Sequence, residues 1–528
     1  MGFVKHPLIK KGAIEERKYQ ASLSKIVLEK GNTLVVAPTA LGKTIIAIVL
    51  AVKLIGVEGK VLFLAPTKPL AEQHRKSFVS KTEIEKDEIV LLTGSTEPKE
   101  RARLFKEARV VNATPQTIRN DLKKGRINLE DVKLCIFDEA HRAVGEYSYV
   151  EIASKYMKQA KKPLILALTA SPGSQKEKIE EVCKNLFIEN IEVKEAGDED
   201  VKPYVNEIEN DWVKVKLPAD FLKVKNCLDA FSMEQIIMLK RIGMAPTTNI
   251  GYFSKRRQLE MQEKIRGLIK RHGKRQPSLY AAASKLAALM KASHATLLLE
   301  TQGISALNEY FTRVEADGEK ETSSKALKSF LKSSKIREAI EITKALGKKG
   351  VEHPKLAELG KILLKQFKEN PESRAIVFNH YRSSIRKVTE YLEAVPGVKP
   401  KKFIGQASRG KEKGMSQKEQ IGTIQELREG KYNCLVASSV AEEGLDIPAV
   451  DLVVFYEPVP SEIRTIQRRG RTGRLSKGKV IVMMAEKTRD EAFYWVAKNK
   501  ESKMHKTLSA LKGKETDKGQ TTLGKWAK

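Results

Sequence analysis

The strongest constraint on this chain is the alternation of short apolar runs with helical patterns. Five such runs come early: TLVVAPT (33–39), KVLFLAP (60–66), ARVVNATP (108–115), LCIFDEAH (134–141) and LILALTASP (164–172). Each is β-branched or otherwise apolar and ends in a Pro, Thr, Asp or Ser turn. Strands alternating with helices imply a parallel sheet covered on both faces. A second set follows after a long gap: RAIVFNH (374–380), KFIGQ (402–406), NCLVASS (433–439), LVVFYEP (452–458) and KVIVMMAE (479–486). The pattern predicts an α/β chain with two parallel-sheet lobes. Ligands of such sheets gather at the carboxyl ends of strands, so the polar ends of these runs are where chemistry is expected.

Between the two sets, roughly 205–350, the texture changes. Helical periodicity dominates, as in FLKVKNCLDAFSMEQIIMLKRI and SLYAAASKLAALMKASHATLLLE, and strand signals are absent. The expected division is a first lobe over 1–204, an all-helical basic insertion over 205–352, a second lobe over 353–497 and a flexible basic tail over 498–528. Residues 211–350 hold 27 Lys and Arg against 14 Asp and Glu, and FSKRRQLEMQEKIRGLIKRHGKR (253–275) holds nine basic residues and two acidic ones.

The whole chain carries a formal net charge of +31. Solubility of a small domain asks for a net charge of only about 2–8. The excess points to a polyanionic partner, nucleic acid first. No run of about 18 apolar residues is present to cross a membrane. The apolar patch in MGFVKHPLIKKG is too short for a signal peptide. Cys135, Cys183, Cys227 and Cys434 form no CxxC pair, which argues against a zinc or disulfide framework and fits a reducing compartment. Abundant Lys and Glu point to a thermophilic source.

VVAPTALGKT (35–44) lies between an apolar run and the helical pattern IIAIVLAVKLI. It matches the phosphate-loop pattern except that Ala37 replaces the first glycine. Backbone N–H groups and a helix N-terminus would receive phosphates there. Lys43 would neutralise β/γ-phosphate oxygens and Thr44 would bind Mg²⁺. Ala37 is tolerable if its φ is ordinary, since only a positive φ demands glycine. DEAH (138–141) ends the run LCIF. Asp138 would hold Mg²⁺ and Glu139 would activate the attacking water, provided the strand ends there, because strand neighbours point to opposite sides. TAS (169–171) ends the next run.

Taken together, these segments resemble the superfamily 2 helicases and translocases, over most of the chain. RKYQ (17–20) is similar to the adenine-reading Q motif, APTALGKT (37–44) to motif I, APTKPLAEQH (65–74) to motif Ia and ATPQT (113–117) to motif Ib. DEAH resembles motif II, TAS motif III, IVFNHYR (376–382) motif IV, SSVAEEGLDIP (438–448) motif V and QRRGRTGR (467–474) motif VI. The resemblance implies two RecA-like lobes flanking one ATP, with Mg²⁺ on Thr44 and Asp138. It implies an ATP site of Arg17, Tyr19, Gln20, Ala37, Pro38, Thr39, Ala40, Leu41, Gly42, Lys43, Thr44, Gly444, Asp446 and Gln467. Arg471 and Arg474 would reach the γ-phosphate from the second lobe. His141, Thr169 and Ser171 would couple the site to the neighbouring lobe, and Glu442 and Glu443 would orient the motif V loop. Nucleic-acid contacts would come from Thr67, Lys68, Thr93, Gly94, Thr114, Pro115, Arg382, Gln406 and Ser438, gripping phosphates without reading bases.

DEAH with GQASRGKEKGMSQKEQ (405–420) and VAEEGLDIP resembles one branch, archaeal Hef and the Fanconi anaemia complementation group M helicases. That resemblance implies an ATP-dependent DNA helicase on forked or branched DNA in the repair of stalled replication forks, cytoplasmic and nucleoid-associated in a prokaryotic cell. The RIG-I-like RNA sensors and the Dicer helicase region also carry helical insertions, so an RNA-directed ATPase is the rival, and an ATP-gated nucleic-acid clamp is a second. Hef's nuclease pattern GD…ERK…D is not matched; Glu16-Arg17-Lys18 stands alone. The insertion is expected to be a thumb gripping duplex arms or a branch point through Lys255, Arg256, Arg257, Arg271, Lys274 and Arg275, against the alternative of a solvated spacer. Gln520, Leu523 and Trp526 have the spacing of a sliding-clamp-binding peptide, against the alternative of a mobile charged tail.

Overall fold

The computed structural model describes residues 2–56, 59–272, 276–408, 413–442, 444–445, 447–473 and 477–511. Asp446, Arg474, Lys274, Arg275, Glu443 and the tail residues Gln520, Leu523 and Trp526 lie outside them. Two parallel sheets form. The first contains β1 (Thr33–Val36), β2 (Lys60–Leu64), β3 (Ile89–Leu92), β4 (Val110–Ala113), β5 (Val132–Phe137), β6 (Ile165–Thr169) and β7 (Asn190–Val193). Its order is β3-β4-β2-β5-β6-β1-β7. The second contains β8 (Ile208–Val215), β9 (Ala375–Phe378), β10 (Pro400–Phe403), β11 (Cys434–Ala437), β12 (Leu452–Phe455) and β13 (Gly478–Ala485), in the order β10-β11-β9-β12-β13-β8.

Successive residues of a strand feed opposite faces. Leu34, Val36, Leu62 and Leu64 enter one core of the first lobe, while Val35, Val61 and Phe63 enter the other. Helices close both faces, which is why the central strands are apolar throughout rather than alternating. The edge strands β3 and β7 add to the five runs legible in the sequence.

The insertion consists of helices Ala219–Arg241, Lys255–His272, Pro277–Thr301, Ile304–Glu319, Lys325–Lys332 and Ser334–Lys348. They pack around Phe221, Leu228, Phe231, Leu299, Phe311 and Phe330, with a smaller cluster of Ile236, Leu239, Ile265, Leu286 and Leu289. The bundle is docked on the second lobe. Gln302 Nε2 donates to Glu457 Oε2 (3.1 Å), the Arg489 N–H to Glu300 Oε2 (3.2 Å) and Arg386 Nη2 to Glu309 Oε1 (2.7 Å).

Two expectations are corrected. The segment 205–352 is not all helical at its start: Ile208–Val215 is β8, an edge strand of the second sheet paired in parallel with β13. Its sequence, IENDWVKV, lacks an apolar run because most of the strand faces solvent. Lys477 pairs with Glu207 and Glu209, and Lys479 with Asp211, so ion pairs line this edge. Nor is 498–511 a flexible tail. The helix Arg489–Leu511 starts on the second lobe and ends on the first, where Met504 and Leu508 are 2% exposed in that lobe's core. Its surface is heavily Lys and Glu, so composition concealed the few apolar positions that dock it.

Candidate active site in the interlobe cleft

Strands β5, β6 and β1 are neighbours. Their carboxyl ends therefore bring DEAH, TAS and the phosphate loop side by side. The loop leaves β1 with Ala37 buried and its N–H donating to Thr169 O (3.0 Å). The left-handed residue is Gly42 (φ 62°), not Ala37, which explains how alanine is accommodated at that first position. Gly42 starts helix Lys43–Ile55. Lys43 Nζ donates to the carbonyls of Ala37 (2.9 Å) and Pro38 (3.3 Å), folding back over its own loop. The Q motif supports the same loop. Tyr19 Oη (3.0 Å) and Gln20 Nε2 (3.3 Å) both donate to Leu41 O, and Arg17 lies over the Tyr204 ring (4.8 Å).

β5 ends at Phe137, and Glu139 takes φ 49°, a left-handed conformation uncommon outside glycine. The strand alternation is broken there, as two adjacent carboxylates in one site require. Asp138 is fixed from several directions. Its N–H donates to Leu64 O (2.9 Å), and its carbonyl accepts from Tyr149 Oη (2.7 Å). Its Oδ2 lies 2.9 Å from His74 Nε2. Burial would push the Asp138 carboxyl up, but the His74 contact and the Lys43 charge hold it below the ordinary value. His74 Nδ1 in turn lies 3.3 Å from Thr44 Oγ1. Thr44 and Asp138 thus form a linked pair of oxygen donors, a hard set of the kind Mg²⁺ takes. His141 Nδ1 meets both Glu139 Oε2 (3.3 Å) and Thr169 Oγ1 (3.1 Å). Thr169 Oγ1 donates to Ser171 O, and Ser171 Oγ contacts Met504 Sδ (3.0 Å) on the crossing helix.

The second lobe closes over this edge. A Cβ on Gly470 would collide with Thr39 Oγ1, so only glycine lets motif VI approach the loop this closely. Gln467 and His141 line one cavity of about 380 Å³, together with His380, Glu442, Ser461 and Arg464. Arg471 is buried, donating to Leu445 O (3.0 Å) and Glu442 O (2.7 Å), so its guanidinium rests on the motif V backbone. Glu442 is gripped by Arg464 Nε and Arg468 Nε, each at 2.8 Å. Fully buried Arg468 also lies over Phe378 (4.9 Å) and Phe455 (5.3 Å). Sequence reading assigned roles to neither Arg464, Arg468 nor His74. The spacing of four between the two arginines, one helical turn, was the available signal.

The remaining expected contacts fall on the other half of the same edges. β3, β4 and β2 are adjacent, so Thr93 and Gly94, Thr114 and Pro115, and Thr67 and Lys68 come together. Thr67 caps helix Lys68–Lys81, Lys68 Nζ donates to Ser95 Oγ (3.1 Å), and Thr114 Oγ1 lies 2.9 Å from Thr117 Oγ1. In the second lobe β10, β11 and β9 are adjacent, bringing Gln406, Ser438 and Arg382 together; Arg382 Nη2 donates to Gly405 O (3.0 Å). Across the cleft, Gly444 of motif V approaches the first-lobe group closely: a Cβ on it would lie 3.1 Å from Thr67 Oγ1. On the insertion, Arg256 pairs with Glu260 (2.7 Å) and Arg257 lies over Tyr252 (3.9 Å), while Arg271 is exposed. These basic residues belong to helix Lys255–His272, which packs in the insertion.

Two parallel-sheet lobes, a phosphate loop, an acidic turn opposite it and the basic helix Glu462–Arg469 closing from the second lobe define a nucleic-acid-directed NTPase motor of helicase type. Family models agree. The DEAD/DEAH box helicase model matches residues 17–179 and the helicase conserved C-terminal domain matches 354–476. A helical-bundle model described for ATP-dependent RNA helicases matches 221–349. The crystal structure of the Pyrococcus furiosus Hef helicase domain is similar over 92% of this chain and 99% of that one, at 43% identity and a TM-score of 0.71. A Methanocaldococcus jannaschii protein, provisionally named an ATP-dependent RNA helicase, is 40% identical over 510 residues, 96% of this chain and 63% of its own. The mouse Fanconi anemia group M protein homolog is 31% identical over 525 residues, 93% of this chain and 26% of its own. The chain belongs to the DEAD/DEAH-box helicases, in the family of Hef and the Fanconi anaemia group M proteins. It spans less than two thirds of the length of these curated relatives.

Proposed function

We propose that this chain is an ATP-dependent DNA helicase or translocase acting on forked or branched DNA, in the repair of stalled replication forks. The observation that carries the reading is the division of each lobe's carboxyl edge into two halves. One half gathers the phosphate loop, DEAH and motif VI. The other gathers hydroxyls, a lysine and an arginine suited to phosphate oxygens, and motif V of the second lobe comes close to it where Gly444 faces Thr67. Relatives named ATP-dependent DNA helicase, as in Neurospora crassa, support DNA as the track.

The residues present fit a magnesium nucleotide. Thr44 and Asp138 would hold Mg²⁺, and Gly42, Lys43 and the helix N-terminus behind them would receive the phosphates. Bound ATP supplies the phosphoryl group whose transfer to water provides the free energy. Glu139, placed by its left-handed turn, accepts the proton of the attacking water at its carboxylate. His141 holds Glu139 and Thr169 in one contact set. Arg471 is tied to the Glu442 and Leu445 carbonyls, and nearby Gly444 lies close to Thr67, so displacement on the nucleic-acid side would be passed to the arginine. Gln20 and Tyr19 set the loop from behind, with adenine recognition by Gln20 the expected role.

The rival reading, an RNA-directed ATPase, is favoured by the name of the M. jannaschii relative. ATPase rates measured with forked DNA, linear duplex DNA and double-stranded RNA separate the two. Strongest stimulation by the fork, with strand displacement or branch migration, is expected. Stimulation by RNA alone would overturn the DNA assignment, and stimulation without strand movement would make the chain a clamp. Lys43→Ala should reduce hydrolysis by at least about 100-fold, as loss of one charge-stabilising group does, while DNA binding persists.

A further inference from the structure

His74 closes motif Ia, yet it lies in the nucleotide half of the site. It belongs to helix Lys68–Lys81, is 5% exposed, and stacks on Phe63 of β2 with ring centroids 4.1 Å apart and an interplanar angle of 26°. Phe63 is registered against Ile136 of β5, two residues before Asp138. The stack fixes the imidazole plane, and both ring nitrogens are then engaged: Nε2 at 2.9 Å from Asp138 Oδ2 and Nδ1 at 3.3 Å from Thr44 Oγ1. The ring stands between the two side chains assigned to Mg²⁺.

We propose that His74 is a positioning residue for the metal, holding Thr44 and Asp138 in register as one unit. The chemistry allows one consistent arrangement for a neutral ring. An ionised carboxylate only accepts, so Nε2 carries the proton and donates to Asp138. Nδ1 then accepts the Thr44 hydroxyl proton. That leaves the Thr44 oxygen lone pairs and the free oxygen of Asp138 for the metal and its waters. Ligating groups held by such outer contacts bind metal more tightly because their orientation is fixed in advance. Lys43 stabilises the Asp138 charge, and its ammonium donates to the carbonyls of Ala37 and Pro38.

This inference rests on the assignment of Thr44 and Asp138 to the metal, and the experiment separates the two. Mn²⁺ binding is titrated by electron paramagnetic resonance in the presence of a non-hydrolysable ATP analogue, so that no turnover is read. The Mg²⁺ dependence of ATPase activity is measured beside it. His74→Ala should weaken Mn²⁺ binding by about 10–100-fold, with kcat at saturating Mg²⁺ changed far less than the metal concentration needed for half-maximal rate. His74→Gln can still reach Asp138 and His74→Asn can still reach Thr44, so each should recover part of the affinity. These two variants also retain volume over Phe63 should the alanine variant fold poorly. Unchanged metal affinity in all three, beside a lowered Tm, would reduce His74 to a packing residue and overturn the proposal. If Asp138→Asn and Thr44→Ala also leave metal binding unchanged, the ligand assignment itself fails.

Discussion

Glu457, just past the end of β12, is buried near Arg468, Lys355, Asp490 and Gln302. Burial pushes its carboxyl up from 4.5 to about 7, and the nearby Arg468 and Lys355 charges only partly offset this. A folded state that binds the proton more firmly than the unfolded chain is favoured at low pH. The stability from this group is full below about pH 4.5 and is lost as pH rises through about 7. Glu457→Gln removes that loss, so its gain over the parent should be small at pH 5 and larger at pH 8, by roughly 3 kcal/mol. Thermal unfolding at the two pH values checks this; equal differences would contradict it. His353, held down to about 3 by burial, works in the opposite direction, losing stability as pH falls below 6.5, and cancels in the comparison of the two proteins. The loop residues, DEAH and motif VI were legible because their chemistry dictates residue type. Glu457 and His74 were not, because each becomes special only through neighbours distant in sequence.

The crossing helix Arg489–Leu511 is the element whose role composition hid. Its first turn is anchored by Asp490, paired with Lys355 where both are wholly buried, and by Arg489 on Glu300. Glu501 then pairs with Arg469 of motif VI, and Met504 reaches Ser171 of motif III. One helix therefore touches the insertion, the helix Glu462–Arg469 that carries the motif VI arginines Arg468 and Arg469, and the first lobe. Leu508→Ala removes a side chain 2% exposed and should cost about 2–5 kcal/mol of docking. Hydrogen exchange should quicken across 498–511 while β1 and β5 stay protected. Undiminished protection of 498–511 would show that the docking carries little energy. β8 teaches the same lesson for strands: an edge strand with polar faces lacks the apolar run that reveals its central neighbours.

Across the whole molecule, the charge of +31 places its densest helical concentration on the insertion. The structure refines the thumb expectation. Arg256 is paired with Glu260 and Arg257 lies over Tyr252, so these two should contribute less to phosphate binding than Lys255 and Arg271. Replacing Lys255, Arg256, Arg257, Arg271, Lys274 and Arg275 by glutamine should flatten the dependence of log K on log salt by about two to four, at about one for each phosphate that is no longer neutralised. Fork binding measured between 50 and 200 mM salt, the range over which such charges act, tests this. An unchanged slope would make the insertion a spacer.

What the sequence determined by itself is the pair of parallel sheets and the order of chemical groups along their carboxyl ends. Apolar runs, glycines at close approaches and charged turns are local requirements, satisfied wherever the chain folds. Long-range packing alone brings the site's groups together: His74 between Thr44 and Asp138, Gly470 against Thr39, Gly444 against Thr67, and Met504 against Ser171. Those pairings depend on strand order and lobe closure. Both are set by packing between segments tens to hundreds of residues apart, and no local pattern encodes them.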